Sequence, residues 1–237
     1  MTQPVLWDQF DAYLFDIDGT LLNSRDAVHY RAFHAALESV FNVKQKIDSV
    51  PVHGNTDPGI LRAAARNAGV GDEVFQAGLP RALDCLRQEA LRNCGEMRPE
   101  LCRGVRELLA ALERRQKLLA VVSGNLEAIG WAKLKAAGLD RYFAFGSFSD
   151  QRELRHDIFA HGVAEARRRL GARASVCIVG DTPSDIAAAR HCGLHVIAVG
   201  SGTYGRDELR RHAPDWCIGC CGDLLITAQL AVNPDEA

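Results

Sequence analysis

A short apolar run ends abruptly at an aspartate in residues 12–21, which read AYLFDIDGTL. Apolar residues in unbroken succession, rather than in alternation, are typical of a parallel strand that other elements cover on both faces. Later runs have the same form, and each is followed directly by a serine or a glycine; they are Leu118–Val122, Val176–Val179 and His195–Val199. The sequence therefore predicts a set of buried parallel strands.

Helical patterns separate these strands. One apolar helix face is predicted from residues spaced i, i+3, i+4 and i+7, namely Val105, Leu108, Leu109 and Leu112. Further helices are predicted where a glycine follows directly and can end the helix, over residues 126–137, 157–170 and 184–192. Strand followed by helix, repeated, predicts an α/β fold with an open, parallel, Rossmann-like sheet and right-handed crossovers.

Residues 22–98 interrupt this alternation. They contain no clear buried strand, and their helical stretches cover residues 26–41, 58–68 and 74–93. Pro99 disfavours helix at Arg98, so the chain is expected to return to the α/β unit there. The sequence predicts an α/β core and an inserted all-helical domain, with the core at residues 1–21 and 99–237 and the insert at 22–98.

The composition excludes several classes of protein. Lys and Arg total 28 against 30 Asp and Glu, a formal net charge of −2, whereas a nucleic-acid binder needs a clustered basic surface. No run approaches the roughly 20 apolar residues of a membrane helix, and the N-terminus shows no secretory pattern. We expect a cytoplasmic protein, monomeric or homodimeric, that binds neither nucleic acid nor a membrane.

Eight cysteines are too few for a disulfide scaffold in a chain of 237 residues, and without an export signal they are typical of cytosolic thiols. Cys217, Cys220 and Cys221 form the one cluster that could bind a metal or carry out redox chemistry. No second pair of cysteines or histidines lies at zinc-finger spacing. Ordinary thiols are therefore the favoured interpretation, and a metal or redox site is the alternative.

The polar residues that follow the strands are expected to meet in one crevice, because ligands bind at the carboxyl ends of the strands in open α/β sheets. They come from three distant parts of the chain and are Asp16, Asp18, Ser123, Asn125, Asp181 and Asp185. Four carboxylates in one crevice repel one another unless a cation is present. Hard oxygen ligands favour Mg²⁺, which is the predicted cofactor.

The same residues are suited to phosphoryl transfer. A carboxylate can act as a covalent nucleophile, and Asp16 directly ends a strand that would hold it rigidly. Asp18 lies two residues further on, close enough to act first as general acid and then as general base. The tripeptide Ser123-Gly124-Asn125 opens a helix whose free N–H groups favour a phosphate. The Thr20 hydroxyl can donate to a phosphate oxygen.

Three segments resemble motifs one, two and four of the haloacid dehalogenase (HAD) superfamily: DIDGTL at residues 16–21, SGN at 123–125 and GDTPSD at 180–185. All three occur in order, so the signal is strong. The resemblance covers nearly the whole chain and is strongest with the phosphoglycolate-phosphatase-like branch. It implies a HAD-like core, a helical type C1 cap over residues 22–98, and phosphatase activity that depends on Mg²⁺.

The resemblance also implies a role for each residue. Asp16 would be the nucleophile and a Mg²⁺ ligand, and Asp18 would be the general acid and base and bind the metal through its backbone carbonyl. Asp181 would bind the metal directly, and Asp185 directly or through water. The transferring phosphoryl group would be held by Ser123 and Asn125, with Gly124 between them.

The third motif of the superfamily normally supplies a lysine that offsets the negative charge of the phosphate and the nucleophile. The lysines between the second and fourth motifs are Lys133 and Lys135. They lie about 15 Å along a helix from its phosphate-binding end and are expected to face solvent. An arginine is therefore predicted in this role; we expect Arg152, and Arg155 is the alternative.

Some of these residues also have a simpler structural interpretation. Asp185 and Ser123 could each cap a helix, which for Ser123 is compatible with phosphate binding. In the insert, the polar loop with His53, Asn55 and Thr56 could contact the leaving group of the substrate. Thr56 could instead only cap the helix that follows.

The predicted function is hydrolysis of a small-molecule phosphate ester, such as phosphoglycolate or a sugar phosphate, through an aspartyl-phosphate intermediate. A phosphomutase of the same superfamily is one alternative, although such mutases usually have valine or isoleucine in place of Thr20. A phospho-accepting regulatory domain that turns over slowly is another. Receiver domains of that kind, however, are about half as long and have no cap.

Overall fold

The computed structural model describes residues 6–44 and 46–225. Its strands are β1 (Ala12–Phe15), β2 (Leu22–Ser24), β3 (Pro99–Leu101), β4 (Leu118–Val122), β5 (Phe145–Ser147), β6 (Val176–Gly180), β7 (His195–Val199) and β8 (Trp216–Ile218). Its α-helices are α1 (Val28–Phe41), α2 (Asp57–Asn67), α3 (Asp72–Arg92), α4 (Val105–Arg114), α5 (Glu127–Ala136), α6 (Arg155–Leu170), α7 (Pro183–His191) and α8 (Arg206–Arg210). The predicted ends of the core at residues 1 and 237, and the N-terminal segment without a secretory pattern, lie outside the described residues.

In the described part of the chain, one parallel sheet has the strand order β5-β4-β1-β6-β7-β8. Strands β4 and β5 lie on one side of β1. The chain then crosses over, and β6, β7 and β8 lie on the other side. The order therefore reverses around β1, and such a point opens a crevice at the carboxyl ends of the strands. The predicted α/β fold is confirmed.

Successive residues of β1 point to opposite faces of the sheet, as the period of a strand requires. Tyr13 and Phe15 belong to one buried apolar cluster, together with residues of α4. Ala12 and Leu14 belong to a second cluster, together with residues of α6 and α7. Because helices cover both faces, the strands have no polar side, which explains the unbroken apolar runs in the sequence.

Helices α1, α2 and α3 share a third apolar cluster that includes Phe33, Leu61 and Phe75. Leu126 and Ile129 belong to the same cluster although they lie beside the carboxyl end of β4. The helices of the insert therefore pack directly over the crevice of the sheet. The boundaries of this cap at residues 22 and 98 stay a prediction.

One expectation for the insert was wrong, because residues 22–98 are not entirely helical. Strand β2 pairs antiparallel with β3, and Leu22 lies opposite Leu101. Each strand has only three residues, too few for a hydrophobic period to be visible in the sequence. The pairing of β2 with β3 joins the segment that enters the insert to the segment that leaves it.

All eight cysteines lie in the described part of the chain, and each is a free thiol. Cys221 is buried, whereas Cys217 and Cys220 are half-buried. Within residues 6–44 and 46–225, none of the helices combines the length and the apolar composition that crossing a bilayer requires.

Candidate active site

The carboxyl ends of the central strands bring the predicted acidic residues together. Asp16 directly follows β1 and Asp181 directly follows β6, and Phe15 pairs with Val179 in the parallel register. Asp16, Asp181 and Asp185 are all buried, and each offers a carboxylate oxygen within 4.8 Å of the others. Three hard oxygen ligands at this spacing form a group that could hold a divalent cation.

The Asp181 carboxylate is confined by two glycines. Gly19 has a φ of +88°, and a Cβ built there would lie 2.2 Å from Asp181 Oδ2. A Cβ on Gly202 would lie only 1.8 Å from the same oxygen. Thr20 Oγ1 donates to Asp181 Oδ1 at 2.9 Å. The hydroxyl thus contacts a candidate metal ligand, and its predicted hydrogen bond to phosphate stays a prediction.

Asp185 both caps a helix and faces the acidic group. Its Oδ2 accepts from the backbone N–H and the hydroxyl of Thr182, at 3.0 and 2.7 Å, and so closes a capping box at the start of α7. Its Oδ1 accepts from Arg155 Nε at 2.9 Å and Nη2 at 2.6 Å. The capping interpretation of Asp185 is confirmed, and its role as a metal ligand stays a prediction.

The cation beside Asp16 is Arg155, and the expectation for Arg152 was wrong. Arg155 Nη2 lies 3.0 Å from Asp16 Oδ1, and the arginine side chain is 9% exposed. Arg155 begins α6 and packs its guanidinium over the Phe159 ring, 5.6 Å from the centroid. Arg152 precedes the helix and lies near His161, whose pKa it lowers together with burial. The starting residue of α6 decides which arginine enters the site.

Lys133 does not face solvent as expected, and is 4% exposed. Its Nζ lies 2.8 and 2.7 Å from the two carboxylate oxygens of Asp18 and 2.8 Å from Asn125 Oδ1. Helix α5 begins only at Glu127, so Lys133 lies less than two turns from its start. Long side chains in a helix slant toward its N-terminus, which brings the ammonium back to the crevice. Lys135 is exposed.

The loop between β4 and α5 presents the residues predicted to bind phosphate. Asn125 Nδ2 donates to Asp18 Oδ2 and to Ser123 Oγ, both at 2.8 Å. Ser123, Gly124 and Asn125 all line the cavity. The N-cap residue of α5 is Leu126 rather than Ser123, so the capping interpretation of Ser123 was wrong.

The surroundings shift the pKa values of the carboxyl groups in different directions. Burial raises the pKa of Asp16 to about 7, an effect that Arg155 opposes and the carboxylate of Asp185 strengthens. Burial and the nearby carboxylates of Asp16 and Asp185 raise the pKa of Asp181 to about 8. Burial would also raise the pKa of Asp18, but Lys133, Asn125 and His29 together outweigh this effect and the pKa is lowered. Neighbouring carboxyl groups with divergent pKa values are typical of acid–base sites.

The cap closes the site from above and leaves a cavity of about 250 Å³. His53 and Asn55 line this cavity, and their contact with a leaving group stays a prediction. Thr56 caps α2, accepting from Gly59 N at 3.2 Å, and its hydroxyl donates to the Glu153 carbonyl at 2.8 Å. Thr56 therefore has the capping role that the sequence left open.

The loop of the cap lies directly on the loop that follows β4. A Cβ on Gly124 would come within 2.2 Å of the Asn55 carbonyl oxygen, so only glycine allows this approach. Asp57 N donates to the Gly124 carbonyl at 2.7 Å, and Asp57 Oδ2 accepts from Leu126 N at 2.8 Å. The cap thus supplies the acceptor for an N–H at the start of α5.

Sequence reasoning missed Asp57 as a link between cap and core, because an acidic residue at a helix start is usually only a cap. His29 lies on the first cap helix, α1. In the structure its Nε2 lies 3.2 Å from Asp57 Oδ2, its ring stacks on Phe33, and it lines the cavity. Arg62 and Glu153 form a second link, with two contacts of 2.6 Å.

A model of the haloacid dehalogenase-like hydrolase family matches residues 10–193. Phosphoglycolate phosphatase of Synechococcus elongatus is 29% identical over 221 residues, which cover 90% of this chain and 95% of that protein. Pyrophosphatase PpaX of Halalkalibacterium halodurans is 24% identical over 220 residues, covering 92% and 96%. CbbY from Rhodobacter sphaeroides, solved in complex with phosphate, is 19% identical with a TM-score of 0.68 over 91% of this chain and 96% of that chain.

The likeness inferred from three short motifs is confirmed by these comparisons. The match to the family model includes all three motifs, from Asp16 to Asp185. The similarity to phosphoglycolate phosphatases extends over both the sheet and the helices of the insert. The chain belongs to the haloacid dehalogenase-like hydrolase family.

Proposed function

We propose that this protein is a Mg²⁺-dependent phosphatase that hydrolyses a small phosphorylated metabolite through an aspartyl-phosphate at Asp16. The observation that carries the proposal is the environment of Asp16, which is buried at a strand end with Arg155 Nη2 3.0 Å from its Oδ1. A fixed carboxylate beside a guanidinium can approach a phosphate dianion that it would otherwise repel.

The reaction would proceed in two steps. In the first, an Asp16 oxygen attacks phosphorus and the bond from phosphorus to the leaving oxygen breaks. That oxygen takes a proton from the protonated form of Asp18, which is the minor form because the pKa of Asp18 is lowered. In the second, water attacks the aspartyl-phosphate and gives a proton to the Asp18 carboxylate, and the bond from phosphorus to Asp16 breaks. Phosphate and an alcohol result, and Asp18 regains its proton.

The acidic group fits a divalent metal. Asp16, Asp181 and Asp185 offer oxygens within 4.8 Å of one another, and their mutual repulsion is the cost that a bound cation would relieve. We infer that these three carboxylates hold Mg²⁺, together with the backbone carbonyl of Asp18. Bound Mg²⁺ would offset negative charge on the phosphoryl oxygens during transfer.

The substrate is a small phosphate ester. A cavity of about 250 Å³ leaves room for a compact leaving group between the strand ends and the cap. Relatives include a phosphoglycolate phosphatase and a pyrophosphatase, and CbbY has also been solved with xylulose-(1,5)bisphosphate. These names support a small phosphorylated metabolite, and hydrolysis is favoured over the mutase reaction by Thr20.

A panel of phosphorylated metabolites, with an aryl phosphate included, tests the proposal by phosphate release with Mg²⁺ and with EDTA. We expect release that depends on Mg²⁺ and is lost in Asp16→Asn. Asp207→Asn is the matched control, because the Asp207 side chain is 88% exposed on α8. Phosphate release that survives in Asp16→Asn, or that is absent from every substrate in the panel, would contradict the proposal.

A further inference from the structure

The site contains two buried cations with separate partners. Arg155 contacts the carboxylates of Asp16 and Asp185. Lys133 contacts Asp18 and Asn125, at distances of 2.7 to 2.8 Å. The third motif of the superfamily accounts for one cation beside the nucleophile, a position that Arg155 occupies. Lys133 is a second one, and it contacts the general acid instead.

We propose that Lys133 is a positioning residue that holds the general acid Asp18 and the phosphate-binding Asn125 as one rigid unit. This inference rests on the proposed phosphatase function, because Asp18 has an acid–base role only there. Lys133 contacts both carboxylate oxygens of Asp18 and acts on the reaction through that residue.

The hydrogen bonds of Lys133 support this role. An ammonium has three donors, and the contacts of Nζ reach both Asp18 oxygens and the Asn125 carbonyl oxygen. Burying an ammonium costs several kcal/mol unless its partners compensate. Those partners are site residues and not backbone carbonyls of α5. The buried ammonium of Lys133 therefore holds Asp18 and Asn125 in a fixed relation.

Lys133 also fixes the orientation of the Asn125 amide. Asn125 Oδ1 accepts from Lys133, so its Nδ2 must face Asp18 and Ser123, to which it donates at 2.8 Å each. The unit of Lys133, Asp18 and Asn125 thereby connects the acid to the phosphate-binding loop. Without the lysine, Asp18 would keep one hydrogen bond from Asn125 and could rotate away from the leaving oxygen.

Loss of this positioning should affect proton transfer more than substrate binding. For Lys133→Met we expect kcat to fall by about 10- to 100-fold, since misplacement of a catalytic group by about 1 Å can cost 100-fold. KM should rise by a smaller factor than kcat falls, because Asn125 loses one contact whereas Arg155 and the metal ligands remain in place. Lys135→Met is the matched control on the same helix, since Lys135 is exposed, and it should behave as wild type.

The choice of leaving group separates a role through Asp18 from a general structural role. An alkyl leaving oxygen needs a proton from Asp18, whereas 4-nitrophenolate leaves without one. Lys133→Met should therefore lower kcat/KM for the best alkyl phosphate of the panel at least about tenfold more than for 4-nitrophenyl phosphate. Equal losses on the two substrates, or no loss on either, would overturn the proposal.

A second variant covers the case in which Lys133→Met does not fold. Lys133→Arg keeps the positive charge but not the geometry of an ammonium, and it should show the same selective loss on the alkyl ester with a smaller amplitude. An unselective loss in this variant would equally contradict the proposal. If the proposed phosphatase function is wrong, wild-type protein and Lys135→Met will also release no phosphate. If only the positioning role is wrong, both of these proteins will be active and Lys133→Met will show no selective loss.

Discussion

Arg155 Nη2 lies 3.0 Å from Oδ1 of Asp16, and the side chains of both residues are less than one tenth exposed. The same guanidinium donates to Asp185, so one cation holds the proposed nucleophile and a candidate metal ligand in a fixed relation. Burial of two carboxylates and an arginine makes each contact stronger than it would be at the surface.

Removing Arg155 should remove most of the activity. For Arg155→Met we expect kcat/KM to fall by about 100- to 1,000-fold, the usual cost of losing a group that stabilises charge in the transition state. The kcat/KM of Arg155→Lys should lie between those of Arg155→Met and the wild type, because lysine keeps the charge without the planar guanidinium. Arg152→Met is the control and should retain nearly full activity. A larger loss in Arg152→Met than in Arg155→Met would show that the charge role was assigned to the wrong arginine.

The stabilisation of the protein by Mg²⁺ should increase with pH. In the metal-free protein the pKa values of Asp16 and Asp181 are raised to about 7 and about 8, from an ordinary value of 3.8. Between about pH 4 and pH 8 the folded state then binds more protons than the unfolded state, so these groups lower the free energy of unfolding as pH rises. A bound cation removes this penalty, because it favours the ionised carboxylates.

Thermal unfolding with and without Mg²⁺ measures this effect. The increase in Tm on adding Mg²⁺ should be larger at about pH 8 than at about pH 5.5. In Asp181→Asn, which has one ionisable ligand fewer, the increase in Tm on adding Mg²⁺ should depend less on pH. An increase in Tm that is the same at both pH values would contradict the assignment of these carboxylates to the metal.

Gly202 should be required for metal affinity. A methyl group there would come within 1.8 Å of Asp181 Oδ2 and would have to displace that carboxylate. Gly202→Ala is therefore expected to weaken Mg²⁺ binding at least about tenfold, since metal ligation needs a defined ligand geometry. Gly205→Ala is the matched control in the same loop, because no atom lies within 4 Å of a Cβ there. Equal Mg²⁺ affinities of the two variants by calorimetric titration would refute this prediction.

Asp57 should stabilise both the cap and helix α5. Its carboxylate accepts from Leu126 N at 2.8 Å, and Asp57→Ala would leave that N–H without an acceptor. We expect the free energy of unfolding to fall by about 1 to 2 kcal/mol, the usual effect of losing a helix cap. The activity should also fall, because the cap would lose its side-chain hydrogen bond to the start of α5. Denaturant unfolding should show no comparable change for Asp72→Ala, an exposed acidic residue in the first turn of α3.

The sequence was sufficient to predict the central strands and the meeting of the carboxylates. Strands β1, β4 and β7 begin and end where the apolar runs do, because burial on both faces leaves an unbroken signal. Strands β5 and β8 were not predicted, since each has three residues and lies at an edge of the sheet. Residues that directly follow buried strands have little freedom, so their convergence is a consequence of the fold.

The cations of the site could not be placed in the same way. Whether Lys133 or Arg155 reaches the crevice depends on where α5 and α6 begin, and helix boundaries are uncertain by a few residues in any sequence. Distance along the helix axis suggested that Lys133 was too far from the phosphate end. That estimate counted from Ser123 rather than Glu127 and ignored the slant of the side chain.

The most direct test of the account is detection of the covalent intermediate on Asp16. Wild-type protein would be mixed with 4-nitrophenyl phosphate and Mg²⁺, quenched in acid within one turnover, digested and analysed by mass spectrometry. We expect the peptide with residues 12–21 to gain the mass of one phosphoryl group at Asp16, and the same peptide of Asp16→Asn to gain none. A phosphoryl group on another residue, or full turnover with none on the protein at any quench time, would contradict it.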